Sequence, residues 1–340
     1  MRIAIVTDAW FPQVNGVVRT MNTVGSELLQ AGHDVAFITP RMFRTFPCPT
    51  YPEIRLSINA GRRIGSLIEA FAPDAIHIST EGPLGVAARR WCLRRGLPFT
   101  TAFHTRFPEY IHARFRVPVD WSWGVMRWFH GPSKGVMVAT QSMRDELHAR
   151  GIPNTRIWSR GVDLGLFRPR GKDLFDHLKR PVFLYVGRVA VEKNIEAFLR
   201  LDLEGTKVVV GDGPQRDNLQ GRYPSVLFAG ARHGEDLARH FAAANVFVFP
   251  SLTDTFGLVL LEAMASGLPV AAFPVPGPID VVTDPKAGVL DADLAIAAQR
   301  ALALSGSDAR NHALTYSWAN CAQMFLDNLH PFSPTGRVAA

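Results

Sequence analysis

Short apolar runs recur along the chain, each followed by glycine, proline or polar residues and then by a stretch with helical spacing. Met1–Thr7 is rich in Ile and Val and alternates little, the texture of a strand buried on both faces of a parallel sheet. A loop with Pro12 and Asn15-Gly16 follows, and Val17–Ala31 reads as a helix closed by Gly32. His33–Thr39 is the next strand, so the chain opens as a βαβ unit. The rhythm continues with strands at Ala75–Ile78, Pro98–Ala102, Val136–Ala139 and Thr155–Ile157. Helices are expected over Gly82–Arg95 and near Met143–Arg150.

Around Arg160–Lys172 the texture changes. Gly161, Gly165, Pro169 and Gly171 cluster with charges and predict a linker. Beyond it the rhythm restarts, with strands at Val182–Val186, Lys207–Val210, Val226–Ala229, Val246–Phe249 and Val270–Phe273. Helices are expected from Asn194, over Gly257–Ser266, and over Trp318–Leu329, which is amphipathic. The prediction is an α/β protein of two Rossmann-like, doubly wound domains, residues 1–168 and 169–316.

Composition narrows the classes. At 340 residues the chain has room for two domains, and its apolar fraction of 47% is that of a soluble globular protein. No apolar run reaches the roughly 18 residues that span a bilayer, and the stretch before Asp8 is too short for a signal peptide. The expected location is the cytoplasm or the inner face of its membrane. Cys48, Cys92 and Cys321 show no ligand-like spacing and read as reduced thiols. No His, Asp or Glu cluster calls for a metal, and no cofactor is expected.

The charge is uneven. Residues 1–170 hold 22 Lys and Arg against 12 Asp and Glu, whereas residues 171–340 hold 15 against 18. A basic first half suits a polyanionic partner, or else its arginines are merely solvated. Nucleic acid is not the expected partner, because neither a recognition motif nor a base-stacking platform accompanies the charge. The first βα turn lacks G-x-G-x-x-G, which argues against a dinucleotide-dependent dehydrogenase.

Candidate chemistry is densest in the second half. Gly187-Arg188 ends a predicted strand and Lys193 opens the next helix, where two cations and helix-terminal amides suit a diphosphate. The plainer alternative is two surface cations near a turn. Gly211-Asp212-Gly213-Pro214 follows another strand, and its glycines allow close approach of backbone to a ligand. In Asp254-Thr-Phe-Gly-Leu-Val-Leu-Leu-Glu262, two acids lie seven residues apart around the start of a helix. They are either sugar-hydroxyl acceptors or an N-cap and a solvated Glu. An acid within a run as apolar as Leu258–Met264 needs a partner if buried.

Taken together, Gly187-Arg188 with Glu192-Lys193-Asn194, Gly211-Asp212-Gly213-Pro214, and Asp254 to Glu262 strongly resemble the retaining family-four glycosyltransferases. That large family includes sucrose synthases, mannosyltransferases and glycolipid synthases. The order and spacing match along nearly the whole chain. The resemblance implies a GT-B fold, with two Rossmann-like domains facing across a cleft and a C-terminal helix, about 317–330, returning to the first domain. It implies that Arg188 and Lys193 hold the donor diphosphate, with Gly187, Gly211 and Gly213 beside it. It also implies that Asp254 with Thr255, Phe256, Gly257 and Leu258 meets the donor sugar and phosphate, and that Glu262 meets the ribose. The family's first acid is commonly Glu, so Asp254 is a departure that leaves the donor sugar open.

The first half fits the same family. Phe11-Pro12-Gln13-Val14-Asn15-Gly16-Val17 resembles its first loop, where Asn15 and Gly16 approach phosphate or acceptor. Phe103-His104-Thr105-Arg106-Phe107-Pro108-Glu109-Tyr110 resembles a segment of branches that make sulfolipid, glycosyl diacylglycerol and mannosylated products. In that family the His at this place lines the sugar pocket near the reacting centre, and the resemblance implies the same for His104. The plainer alternative is a structural His at a strand end. Arg106 is a further substrate-binding candidate. Ser159-Arg160-Gly161 resembles the interdomain segment, so Arg160 is a further binding candidate.

Residues 106–134 interleave Arg106, Arg114, Arg116, Arg127 and Lys134 with Trp121, Trp123 and Trp128. Such a mixture suits an anionic membrane surface, or else its aromatics are core and its cations solvated. The resemblance favours a lipid acceptor such as diacylglycerol. Transfer to a soluble saccharide is the closest rival, and a nucleotide-sugar epimerase a further one.

Overall fold

The computed structural model describes residues 1–13, 15–48, 51–104, 108 and 116–332. The chain divides into two compact units, one made of Met1–Ser159 with Trp318–Ala340 and one of Arg160–Ser317. No helix among the described residues is long and apolar enough to cross a membrane.

The first unit runs β1 (Arg2–Val6), α1 (Gly16–Gln30), β2 (Asp34–Ile38), β3 (Thr45–Cys48), β4 (Tyr51–Ser57), α2 (Ala60–Phe71) and β5 (Ala75–Ile78). It continues with α3 (Pro83–Arg95), β6 (Thr100–Phe103), α4 (Val119–His130), β7 (Val136–Val138), α5 (Gln141–Ala149) and β8 (Thr155–Ile157). Six of these strands form one parallel sheet in the order β2-β1-β5-β6-β7-β8, and β3 and β4 form a separate antiparallel hairpin. The apolar runs explain the sheet. All of β5, and all of β1 beyond Arg2, is buried. Helices α2 and α3 cover it through Ile64, Ile68, Leu84 and Trp91. The hairpin and α2 were not among the predicted elements. Pro47, Pro49 and Pro52 break up the strand pattern there.

Asp8, just beyond β1, reaches the N-terminus of α3. Its carboxylate accepts from the amides of Leu84 (2.9 Å) and Gly85 (3.2 Å) and from the Thr80 hydroxyl (3.0 Å). Burial outweighs these donors and lifts its pKa from 3.8 to about 6. The folded protein therefore holds this proton more tightly than the unfolded chain does. The stabilisation is complete below the unfolded value and fades as pH rises through about 6, a loss of roughly 3 kcal/mol. Unfolding free energy measured from about pH 4 to pH 7 should fall in the wild type, and Asp8→Asn should remove most of that slope. Equal slopes in both proteins would exclude Asp8 as the source.

The second unit runs β9 (Val182–Val186), α6 (Ile195–Leu199), β10 (Thr206–Val210), α7 (Arg216–Arg222), β11 (Leu227–Gly230), α8 (Gly234–Ala243) and β12 (Val246–Phe249). Then come α9 (Leu258–Ala265), β13 (Val270–Ala272), α10 (Pro278–Val281), β14 (Gly288–Leu290), α11 (Leu294–Ala301) and α12 (Gly306–Ala313). Its parallel sheet has the order β11-β10-β9-β12-β13-β14. Strands β9 and β12 are buried throughout, as their unbroken apolar runs require.

The boundary lies earlier than the expected 168, and the expected linker is part of the second unit. The Val162 amide donates to the Tyr316 carbonyl (3.1 Å). Arg310 on α12 donates to the carbonyls of Leu164 (3.1 Å), Phe167 (2.6 Å) and Ala265 (2.6 Å). Glycines and charges in this segment thus mark an irregular but anchored path. The chain then returns to the first unit as α13 (Trp318–Asn328), which packs on α1. The Trp158 indole donates to the Cys321 carbonyl (3.1 Å), and Asn328 Nδ2 to the Ile157 carbonyl (2.8 Å).

Candidate active site

Ligands of open α/β sheets gather beyond the carboxyl ends of the strands, where the strand order reverses. In the second unit that place lies between β9 and β12. These strands are neighbours, while β10 and β11 extend to one side and β13 and β14 to the other. The segments leaving β9 and β12 are knitted together. Asn194 adopts the left-handed conformation (φ 51°), which Asn tolerates better than most residues, and its Nδ2 donates to the Pro250 carbonyl at 3.0 Å. Thr253 Oγ1 donates to the Glu192 carbonyl at 3.3 Å.

The 3-10 turn Val191–Lys193 therefore delivers Lys193 directly to the β12 segment, where its Nζ lies 2.5 Å from Asp254 Oδ1. Only 26% of the Lys193 side chain and 19% of the Asp254 side chain are exposed, so this is a shielded, charge-assisted contact. Asp254 Oδ2 is buried and, among the described residues, has no hydrogen-bond donor. A buried acceptor in that condition is suited to a donor brought by a ligand.

Tyr185 supports the β9 side. Its hydroxyl donates to the Arg188 carbonyl (2.9 Å), while Arg188 itself is exposed. Burial, reinforced by the charges of Asp254 and Glu192, pushes this phenol above its usual range, so it remains a donor. The β10 loop packs closely alongside. The Gly187 amide donates to the Val210 carbonyl (3.0 Å) and the Val189 amide to the Asp212 carbonyl (2.9 Å). A side chain at Gly211 would place its Cβ 1.9 Å from the Gly187 carbonyl oxygen, and one at Gly213 would come 2.4 Å from that of Val189.

On the other side Gly257, at φ 81°, turns the chain into α9. The N-cap position is Gly257, which brings no side chain to the first amides of this helix, whose N-terminus carries the positive end of the helix dipole. Phe256 is buried with its ring 6.5 Å from that of Tyr316, and Thr255 is half-buried before it. Glu262 is 2% exposed within α9, so it is not the solvated acid of the plainer reading. Arg160 is also buried, where the chain enters this unit.

The first unit has the same kind of edge. Asn15 caps α1, its Oδ1 accepting from the amides of Val17 and Val18 (both 3.0 Å), and Gly16 is the first residue of that helix. His104 follows β6, its ring 5.8 Å from that of Trp158. Arg106 and Val14 lie outside the described residues.

Two supporting residues escaped the motif reading, Tyr185 and Thr253, while Asn194 stood in the Glu192-Lys193-Asn194 motif without its partner being legible. A phenol inside the otherwise apolar Val182–Val186 run was a usable signal for Tyr185. Nothing local distinguishes Thr253, and nothing local names the partner of either Thr253 or Asn194, 61 and 56 residues away.

Known proteins resemble this chain in sequence and in fold. The profile described as Glycosyltransferase Family 4 matches residues 14–166, and that described as Glycosyl transferases group 1 matches residues 180–305. A GDP-mannose-dependent alpha-mannosyltransferase of Mycobacterium tuberculosis is 31% identical over 322 residues, 85% of this chain and 83% of that protein. An alpha-monoglucosyldiacylglycerol synthase of Streptococcus pneumoniae is 27% identical over 379 residues, covering 98% of this chain and 85% of that one. Among solved structures, sucrose-phosphate synthase from Thermosynechococcus elongatus superposes with a TM-score of 0.76 at 24% identity, over 96% of this chain and 97% of that one. With its two parallel-sheet domains and its paired profile matches, the chain is a member of glycosyltransferase family 4, a GT-B enzyme that uses nucleotide sugars as donors.

Proposed function

We propose that the enzyme transfers a hexose, with retention of anomeric configuration, from a nucleoside-diphosphate sugar to a membrane lipid such as diacylglycerol, yielding a glycolipid. The Lys193–Asp254 pair at the strand reversal of the second sheet carries the transfer chemistry. Arg188 and Lys193, with the first amides of α9, stabilise the charge that builds on the departing diphosphate. Fixed cations fill that role, so the reading calls for no metal and no cofactor beyond the nucleotide sugar.

Asp254 accepts from a donor-sugar hydroxyl through Oδ2, and Glu262 accepts from the ribose. Thr255, Phe256, Gly257 and Leu258 form the approach to α9, and Gly187, Gly211 and Gly213 let backbone lie against the phosphates. In the transfer step the bond between the anomeric carbon and the phosphate oxygen breaks. The acceptor oxygen bonds to that carbon on the same face, and its proton passes to the leaving phosphate oxygen. His104, with Asn15, Gly16 and Arg106 of the first unit and Arg160, is assigned to sugar and acceptor on the family resemblance.

The lipid acceptor is supported by the relative named for monoglucosyldiacylglycerol synthesis and by the basic first half of the chain. Its setting is the inner membrane surface. Product mass spectrometry tests the reading, with GDP-mannose, UDP-glucose, UDP-galactose and UDP-glucuronate each offered with diacylglycerol liposomes and with soluble sugars. A glycosylated lipid is the expected product. Product on soluble sugars alone removes the lipid acceptor but keeps the transferase, and an altered donor without acceptor points to an epimerase.

A further inference from the structure

Helix α4 buries Trp123, Met126, Phe129 and His130 and leaves Trp121, Val125 and Trp128 outside, 76%, 54% and 44% exposed. These three stand at i, i+4 and i+7, so they form one apolar stripe along the helix. One end of the stripe is tied to α3. Arg89 of α3 donates to the carbonyls of Phe129 (3.0 Å) and Trp128 (2.5 Å), and its guanidinium lies 4.0 Å from the centre of the Trp128 ring. Leu93, one turn beyond Arg89 and 44% exposed, adds apolar surface on α3.

The same two helices carry exposed Arg90, Arg94 and Arg127 and a single acid, Asp120. Indoles left in water beside an excess of cations match one environment well. At the headgroup level of an anionic bilayer, the rings find apolar depth and the guanidinium groups find phosphate. A neutral apolar protein face would satisfy the rings and leave the charge unanswered.

We propose that this α4–α3 face docks the first unit on an anionic lipid bilayer, with Trp121, Val125 and Trp128 entering the interface. The proposal rests on the lipid-acceptor reading for its purpose, yet vesicle binding is measured without any transfer. The test compares the wild type with Trp121→Ser/Val125→Ser and with Arg90→Gln/Arg94→Gln. The first pair lies outside the core, so its melting temperature should match the wild type. The probes are phosphatidylcholine vesicles with and without phosphatidylglycerol, read by co-sedimentation and tryptophan emission.

The wild type is expected to bind only the anionic vesicles, more weakly as salt rises, with its emission shifted to the blue. The serine pair should weaken binding about tenfold or more, and the glutamine pair should flatten the salt dependence. No binding by the wild type at low salt, or equal binding by the serine pair, overturns the proposal. So does a stripe that the serine pair shows to be needed for self-association and not for vesicles. If the serine pair loses vesicles while product forms only on soluble sugars, the docking face stands and the lipid-acceptor reading falls.

Discussion

Lys193→Ala is expected to lower kcat/KM for sugar transfer by about 10²–10³-fold, with most of the loss in kcat. The leaving diphosphate gains charge as the bond to the sugar breaks, so a cation beside it matters more in the transition state than in the ground state. The substitution also strands Asp254, whose Oδ1 has Lys193 at 2.5 Å and whose buried Oδ2 has no donor among the described residues. The effect on catalysis and the effect on the pair are separable. Asp254→Ala should also abolish most transfer, and the double variant should be far from additive, because the two side chains act through one contact. Steady-state kinetics with a thermal melt on each variant checks this. A folded Lys193→Ala protein with near wild-type rates removes the pair from the active site.

The second large effect is structural. Gly211→Ala is expected to destabilise the second unit by about 3 kcal/mol or more, or to prevent its folding. The added Cβ would meet the Gly187 carbonyl oxygen at 1.9 Å, and neither residue is free to withdraw, because the Gly187 amide donates to the Val210 carbonyl and the Gly211 amide to the Gly230 carbonyl. Residue 211 also has φ 147°, outside the range that side chains favour. Gly221 in α7 is the matching control. A Cβ there meets nothing within 4 Å, so Gly221→Ala should be neutral or stabilise by about 0.5–1 kcal/mol. In urea unfolding the Gly211→Ala midpoint should fall, while that of Gly221→Ala should stay or rise. Similar midpoints would mean that the β10 loop yields more readily than its contacts suggest.

Much of this could be read along the chain, because parallel strands buried on both faces announce themselves as Ile, Val and Phe runs. Val182–Val186 and Val246–Phe249 are observed with the bounds their apolar residues predicted. The acids of the second half were legible for a related reason: Glu262 stands among residues that only a core would accept. What local pattern does not carry is pairing. Lys193 and Asp254 are 61 residues apart, and their separate resemblances to phosphate and sugar ligands gave no sign that they touch. Asp8 is joined to the amides of Leu84 and Gly85 across more than 70 residues. Helix α6 shows the opposite limit. A helix was expected from Asn194, but Asn194 takes the left-handed conformation, and five residues follow before the helix ends. The side-chain amide of Asn194 donates instead to the Pro250 carbonyl.

The return of α13 to the first unit orders events during synthesis. Residues 160–317 are contiguous, so the second unit has all its parts as soon as Ser317 has emerged. The first unit, begun earlier, still lacks the helix that packs on α1 and takes the indole hydrogen bond of Trp158 through Cys321. The half made first is thus completed last. A chain that stops just after Ser317 carries a whole second unit and an open first unit, with its damage lodged more than 150 residues upstream of the break.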